Sequence, residues 1–110
     1  VQSYDKVSFD AIRSGDVNAF ETMFRTYYQP LCRYAYSFVH ETEEAEEIVQ
    51  SSFISFWEKK ESIEITTSVK AYLYRAIRNA CLNNLKHEKV KLAFAQHQAY
   101  SGSKQDESSE

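Results

Sequence analysis

A chain of 110 residues with a net charge of −3 holds material for one domain with a modest core, and none for a second. Apolar residues make up 43% of it, yet no run approaches the roughly 18 consecutive apolar positions that spanning a bilayer requires, and no signal peptide opens the chain. A soluble protein without direct membrane insertion is expected. The charge is unevenly placed: positions 66–100 carry Lys70, Arg75, Arg78, Lys86, Lys89 and Lys91 against Glu88 alone, a local +5 that leaves −8 for the remainder. The acidic total therefore excludes neither an anionic nor a cationic partner.

With 2 Gly, 1 Pro and long stretches of helical apolar spacing, the sequence predicts an all-α domain. A short helix is expected over Ser8 to Arg13, closed by Gly15. Asp16 then caps a long helix from Val17 to about Val39, with an inward stripe of Phe20, Phe24, Tyr27, Leu31, Ala35 and Phe38. Pro30 lies inside it and predicts a kink near Tyr27, because its ring removes one donor and crowds the preceding turn. The third helix should start at Thr42, whose hydroxyl can cap, with Glu43, Glu44, Glu46 and Glu47 favoured by the positive end of the helix dipole. Its buried stripe is Ala45, Val49, Phe53 and Phe56 or Trp57, with Ile48 beside it. The branched residues of Glu61 to Thr66 break the periodicity and predict a loop. A fourth helix begins near Thr67 and runs through Val69, Leu73, Ala76, Ile77 and Ala80 toward Leu85, with Gln96 as its outer limit. The expected architecture is a compact bundle of three long helices plus a short N-terminal one over residues 1–97. Residues 98–110 then form a polar, disordered linker or tail. No repeat of about 34 residues suggests a helical array.

Cys32 and Cys81 both lie at apolar helical positions without a Cys-x-x-Cys pattern, and read as buried, reduced thiols of a cytoplasmic protein. His40, His87 and His97 fall on three different segments. With no Glu-x-x-His pair and no Gly-rich phosphate loop, neither an enzyme nor a metal or other cofactor is indicated.

Two polar patterns carry chemistry. On the third helix, Gln50 follows two apolar residues and precedes two serines, so its amide should face outward, where a partner helix could exchange hydrogen bonds with it. Glu47 has no base at i+3 or i+4, which leaves its charge open to an arginine on another protein. A solvated acidic face accounts for the same pattern. On the fourth helix, Arg75, Asn79 and Lys86 are spaced by four and seven and fall on one side together with Tyr72. Such a side can pair phosphates while a ring stacks on an unpaired base. Solubilising charge with Tyr72 in the core accounts for it equally, and Asn79 could serve a local helix hydrogen bond.

The order of a short helix, Gly-Asp, a Phe-rich helix, Glu44-Ala45-Glu46-Glu47-Ile48-Val49-Gln50-x-x-Phe53-Ile54-x-x-Trp57, a loop, and Val69-Lys70-Ala71-Tyr72-Leu73-Tyr74-Arg75-Ala76-Ile77-Arg78-Asn79 resembles region 2 of the extracytoplasmic-function (ECF) sigma factors of bacterial RNA polymerase. The resemblance covers roughly Phe9 to Lys91. It implies a DNA-binding transcription initiation domain that docks on the clamp coiled coil of the polymerase β′ subunit. Such a domain recognises and melts the promoter minus-ten element and holds its single-stranded non-template strand. Glu47 and Gln50 match clamp-contacting positions, with Ser51 and Ile54 as neighbours; Ser51 stands where an acidic residue is often found. Asn79 matches the asparagine typical of the family. The loop matches the segment that captures a flipped base, making Ser62, Ile63 and Glu64 candidate DNA contacts, with Ile63 where several relatives place an aromatic ring. A captured base must regain the few kcal/mol that its extrusion costs, and Glu64 could accept from a cytosine amino group. An anti-sigma factor is an implied partner. The helix-turn-helix that reads the minus-thirty-five element in such factors is not found in this sequence, and the expectation is either that the chain was trimmed or that a linker begins at Ser101. A helical protein-interaction adaptor without DNA binding is the competing reading. It predicts no salt-dependent binding of single-stranded DNA.

Overall fold

The computed structural model describes residues 9–105, and their side chains through residue 98. These residues form helix α1 (residues 9–13), α2 (Val17–Val39), α3 (Thr42–Glu58) and α4 (Val69–Gln105), with no strand among them. The expected all-α bundle of three long helices and one short one is what they build. Ser8, the expected start of the first helix, lies outside the described residues.

The turn from α1 into α2 follows from two adjacent residues. Gly15 adopts φ 101°, a left-handed conformation costly to any residue with a Cβ. Its N–H donates to the Ile12 carbonyl at 2.9 Å and that of Asp16 to the Ala11 carbonyl at 3.0 Å, closing the helix end. Asp16 then accepts from the Ala19 N–H at 3.1 Å, which satisfies one orphan donor of α2. At the other end of α2 the left-handed position is held by His40, φ 58°, whose N–H returns to the Tyr36 carbonyl at 2.8 Å.

α2 is the central helix, packed along both α3 and α4, which meet each other over a shorter stretch. Facing two neighbours widens its apolar arc. Leu31 and Ala35 are buried as expected, Phe20, Phe24, Tyr27 and Phe38 pack half-buried on the core, and Met23, absent from the expected stripe, is buried. Helical assignment runs without a break through Pro30.

Two corrections concern the helix starts. Thr42 is the first residue of α3 and not its cap; the cap position is Glu41, extended at φ −146°, ψ 126°, with no side-chain hydrogen bond. The start rests on Glu43 and Glu44 in the first turn, opposite the dipole. α4 begins at Val69, two residues after Thr67, because Ser68 is the hydroxyl that caps: its Oγ accepts from the Ala71 N–H at 3.0 Å.

α3 buries Ala45, Val49, Phe53 and Phe56, and α4 buries Val69, Leu73, Ile77 and Cys81. Phe53 meets Phe20 and Phe24 of α2, with centroids 6.2 and 4.9 Å apart, while Phe56 meets Phe9 of α1 at 5.8 Å and Tyr72 of α4 at 5.7 Å. α3 thus links two aromatic clusters, and edge-on ring pairs of this kind add to plain burial. Cys81 is buried and free, whereas Cys32, expected to be buried too, is free but half-buried.

Beyond Cys81, α4 is largely exposed, with Asn84 its last half-buried residue among those described. It continues past the expected boundary at 98 to Gln105, and Leu82, Leu85, Val90, Leu92 and Phe94 along it are exposed. The final part of the expected tail, residues 106–110, lies outside the described residues.

Candidate polymerase and nucleic-acid interfaces

The outward face of α3 is a continuous ridge. Glu47, Gln50, Ser51 and Ile54, spaced i, i+3, i+4 and i+7, are all exposed, Ile54 by 58% although apolar. Gln50 is not a free amide: its Nε2 donates to the Tyr28 Oη of α2 at 3.1 Å. That bond is the largest single influence on the phenol and lowers its pKa. Burial, the Cys32 thiol and the Glu46 charge together outweigh it and hold Tyr28 above its ordinary value. Burial likewise raises the Cys32 thiol, against the hydrogen bond from Tyr28.

The ridge is flanked by hollows of different character. Toward α2, an apolar one of about 360 Å³ lies among Phe20, Phe24, Phe53, Ile54 and Trp57, with Gln50 at its edge. Toward α4, an acidic one of about 650 Å³ is lined by Glu43, Glu44, Glu46 and Glu47 from α3 and by Asn84 and Glu88 from α4. The Asn84 Oδ1 is buried there without a hydrogen-bond partner among the described residues. Neither Tyr28 nor Asn84 was foreseen. Each lies where its helix meets an element far away in sequence, which no local spacing reports.

On α4, Arg75, Asn79 and Lys86 are exposed and Tyr72 is half-buried. At about 100° per residue the four fall within about 60° of arc, on the side opposite Leu73, Ile77 and Cys81. Tyr72 sits at the edge of that stripe, its ring against Phe56, and lines a cleft of about 720 Å³ between α3 and α4 together with Ser51, Ser55, Ile63, Ala76 and Asn83. Asn83, one turn beyond Asn79 and exposed, extends the amide-bearing side; its signal in the sequence was that same spacing.

The loop between α3 and α4 is where expectation and structure part. Ser62 and Glu64 are exposed, but Ile63 is only 8% exposed and belongs to the core. Its side chain pins the loop and lines the cleft between α3 and α4. The reason is a two-residue alternation, with Ser62 and Glu64 outward and Ile63 and Ile65 inward, the habit of extended chain lying on an apolar surface. The loop is further fixed by a turn in which the Ser62 N–H and Oγ both reach the Lys59 carbonyl, at 2.9 and 3.0 Å. From the far side, Arg13 Nη2 donates to the Ile63 carbonyl at 2.6 Å.

A helical bundle with an acidic-apolar ridge on one helix and a basic, amide-bearing stripe on the next, joined by a pinned loop, agrees with the comparison to known families. The sigma-70 region 2 profile matches residues 23–90, and the chain belongs to that family. Among curated proteins it is similar to the ECF RNA polymerase sigma factor SigM of Mycobacterium tuberculosis, in strains H37Rv and Erdman, 30% identical over 77 residues. The match takes in 70% of this chain and 39% of that relative's length. No helix among the described residues is long and apolar enough to cross a membrane, and no three His, Cys, Asp or Glu side chains there converge to hold a metal ion.

Proposed function

We propose that the domain acts in transcription initiation, docking on the clamp coiled coil of the RNA polymerase core through α3 and holding the melted minus-ten non-template strand with α4 and the loop. The observation that carries this reading is two faces of unlike chemistry on one shared core, meeting at the cleft that Ser51 and Tyr72 both line. Phe53, Phe56, Leu73 and Ile77 are buried between the helices, while the Glu47–Gln50–Ser51–Ile54 ridge and the Tyr72–Arg75–Asn79–Lys86 stripe remain outside. A basic partner helix suits the ridge: Ile54 and the apolar hollow offer area, while Glu47 and its neighbouring glutamates offer acceptors for arginine or lysine. On α4, Arg75 and Lys86 suit phosphates, and the Asn79 amide suits a base edge or sugar. Tyr72 and Ile63 line one cleft, where a base flipped from the strand would enter, and the exposed Ser62 and Glu64 flank Ile63 in the chain.

The net charge of −3 is consistent with a domain that engages DNA only once polymerase supplies a confining channel and a positive field. Such a role places the domain in the cytoplasm, with an anti-sigma factor as a natural competitor for the same exposed faces. The deciding experiment assembles the protein with polymerase core and follows strand opening at a cognate promoter by permanganate reactivity. Core binding with opening supports the reading, and binding without opening reduces the domain to a docking module. Absence of both favours the adaptor.

A further inference from the structure

The loop expected to read DNA is tied to the helix farthest from it in sequence. Residues 59–68 have no helical backbone, and the turn at Ser62 fixes only their first part. The next residue, Ile63, is held from two sides: its side chain enters the core, and its carbonyl accepts the Arg13 guanidinium across fifty positions of sequence. Arg13 is itself fixed, lying 4.7 Å over the ring of Phe9, which is buried and packs edge-on against Phe56 at 5.8 Å. Phe56 in turn touches Tyr72 on the lining of the cleft. One chain of contacts therefore joins α1, the loop and the base-facing side of α4. Arg13 has no acidic partner among the ion pairs of the described residues, so its strongest acceptor is that loop carbonyl.

We propose that Arg13 is a positioning residue for base discrimination, a role that rests on the promoter-reading function proposed above. Holding the Ile63 carbonyl fixes the Ile63–Glu64 peptide plane and, with the Ile63 side chain anchored in the core and the turn at Ser62, sets the directions in which Ser62 and Glu64 leave the backbone. It also occupies a carbonyl that would otherwise be free to accept from any base amino group, a contact that would blur specificity. Arg13 touches no DNA in this role; it acts through the loop.

The test uses the protein assembled with polymerase core. Wild type, Arg13→Ala and Arg13→Lys are compared on promoters bearing each of the four bases at each minus-ten position, with core affinity measured in parallel. For Arg13→Ala, unchanged core affinity is expected, together with a loss of discrimination between preferred and next-best base of roughly tenfold, the ratio one charge-assisted hydrogen bond can carry. Arg13→Lys, which keeps a cation and a donor, should recover part of it. Amide exchange at residues 62–65 should speed up in Arg13→Ala while that of the α3 core does not. Undiminished discrimination in a folded Arg13→Ala protein overturns the proposal. So does an equal loss on every promoter, which would make the contact merely structural. A wild-type holoenzyme that opens no promoter overturns the underlying reading and this role with it. If the wild type opens and discriminates, a failure of the variants to behave as expected counts against Arg13 alone.

Discussion

Gln50 on α3 and Tyr28 on α2, 22 positions apart, share a hydrogen bond at the surface, with the glutamine Nε2 donating to the phenol oxygen at 3.1 Å. The bond settles which end of the amide is spoken for. With Nε2 turned toward α2, the Oε1 is left to accept from a partner's donor, in line with the acidic acceptors on the rest of the ridge. Glu47→Lys with Gln50→Ala should therefore abolish polymerase binding, with stability shifted by no more than about 0.5 kcal/mol, because both positions are exposed. Tyr28→Phe should weaken binding severalfold by releasing the amide while leaving its chemistry intact. Equilibrium binding to core and thermal melting of each variant check this.

The aromatic core should be uneven in its sensitivity. Phe53 lies against both Phe20 and Phe24, and its truncation to Ala should cost about 3 to 5 kcal/mol through lost burial and a residual cavity. Leu73→Ala, on the α4 side of the same core, should cost about 2 to 5 kcal/mol. Denaturant unfolding with unchanged midpoints would disprove the packing described for α3.

His40→Gly should stabilise the domain. A left-handed residue at φ 58° costs a non-glycine roughly 1 kcal/mol, and glycine removes that cost while keeping the N–H bond to the Tyr36 carbonyl. Part of the gain is returned as greater freedom of the unfolded chain, so a net rise of about 0.5 kcal/mol is expected in the unfolding free energy.

Stability should fall on the alkaline side. Burial raises the Cys81 thiol, with the Glu44 charge adding to it, and burial also raises Cys32; Tyr28 lies above its ordinary value as well. A folded-state pKa above the unfolded one means that the native state retains a proton which the unfolded chain gives up. The contribution is complete below the unfolded thiol value of about 8.5 and is lost as pH climbs through the higher folded values. Unfolding midpoints should therefore decline above about pH 8.5, and Cys81→Ala should flatten that decline. A decline of equal slope in the alanine variant would assign it to other groups.

Local chemistry was the legible part of this fold. Gly15 and Asp16 announce the end of α1 and the start of α2 because a left-handed glycine and an aspartate cap act within four residues of themselves. Ser68 was harder to choose than Asp16 only because Thr67 beside it offers the same hydroxyl. The stripe of Arg75, Asn79 and Lys86 follows from helical spacing, whereas on the exposed ridge of Glu47, Gln50, Ser51 and Ile54 the last two came from the resemblance to region 2. Met23 was missed because α2 faces two helices and a single inward stripe undercounts such an arc. Ile63 was expected only as a candidate DNA contact, and its burial, which the polar-apolar alternation from Ser62 to Ile65 marks, was not drawn from the sequence. The bonds of Arg13 to the Ile63 carbonyl and of Gln50 to Tyr28 leave no local trace, since each exists only when distant elements have packed.

Variants on the proposed DNA-facing side should separate by mechanism. Asn79 is exposed, and its amide can pair a donor and an acceptor with a base edge. Asn79→Ala should therefore impair promoter opening by the holoenzyme and alter its ranking of minus-ten variants, with the loss concentrated on the preferred base. Arg75→Ala and Lys86→Ala remove charge without removing a base contact. They should weaken engagement by a similar factor on every sequence and each lower the salt slope by about 0.7, the value for releasing one counterion from a single strand. Exchanging Ser62 and Glu64 for the residues of a relative, with Ile63 kept so that the loop stays pinned, should move the preferred base without changing the salt slope. Permanganate footprints across a salt series report both quantities in one experiment. Normal opening and unchanged base preference in the Asn79 and loop variants would leave α3 docking intact but remove α4 and the loop as the reading surface.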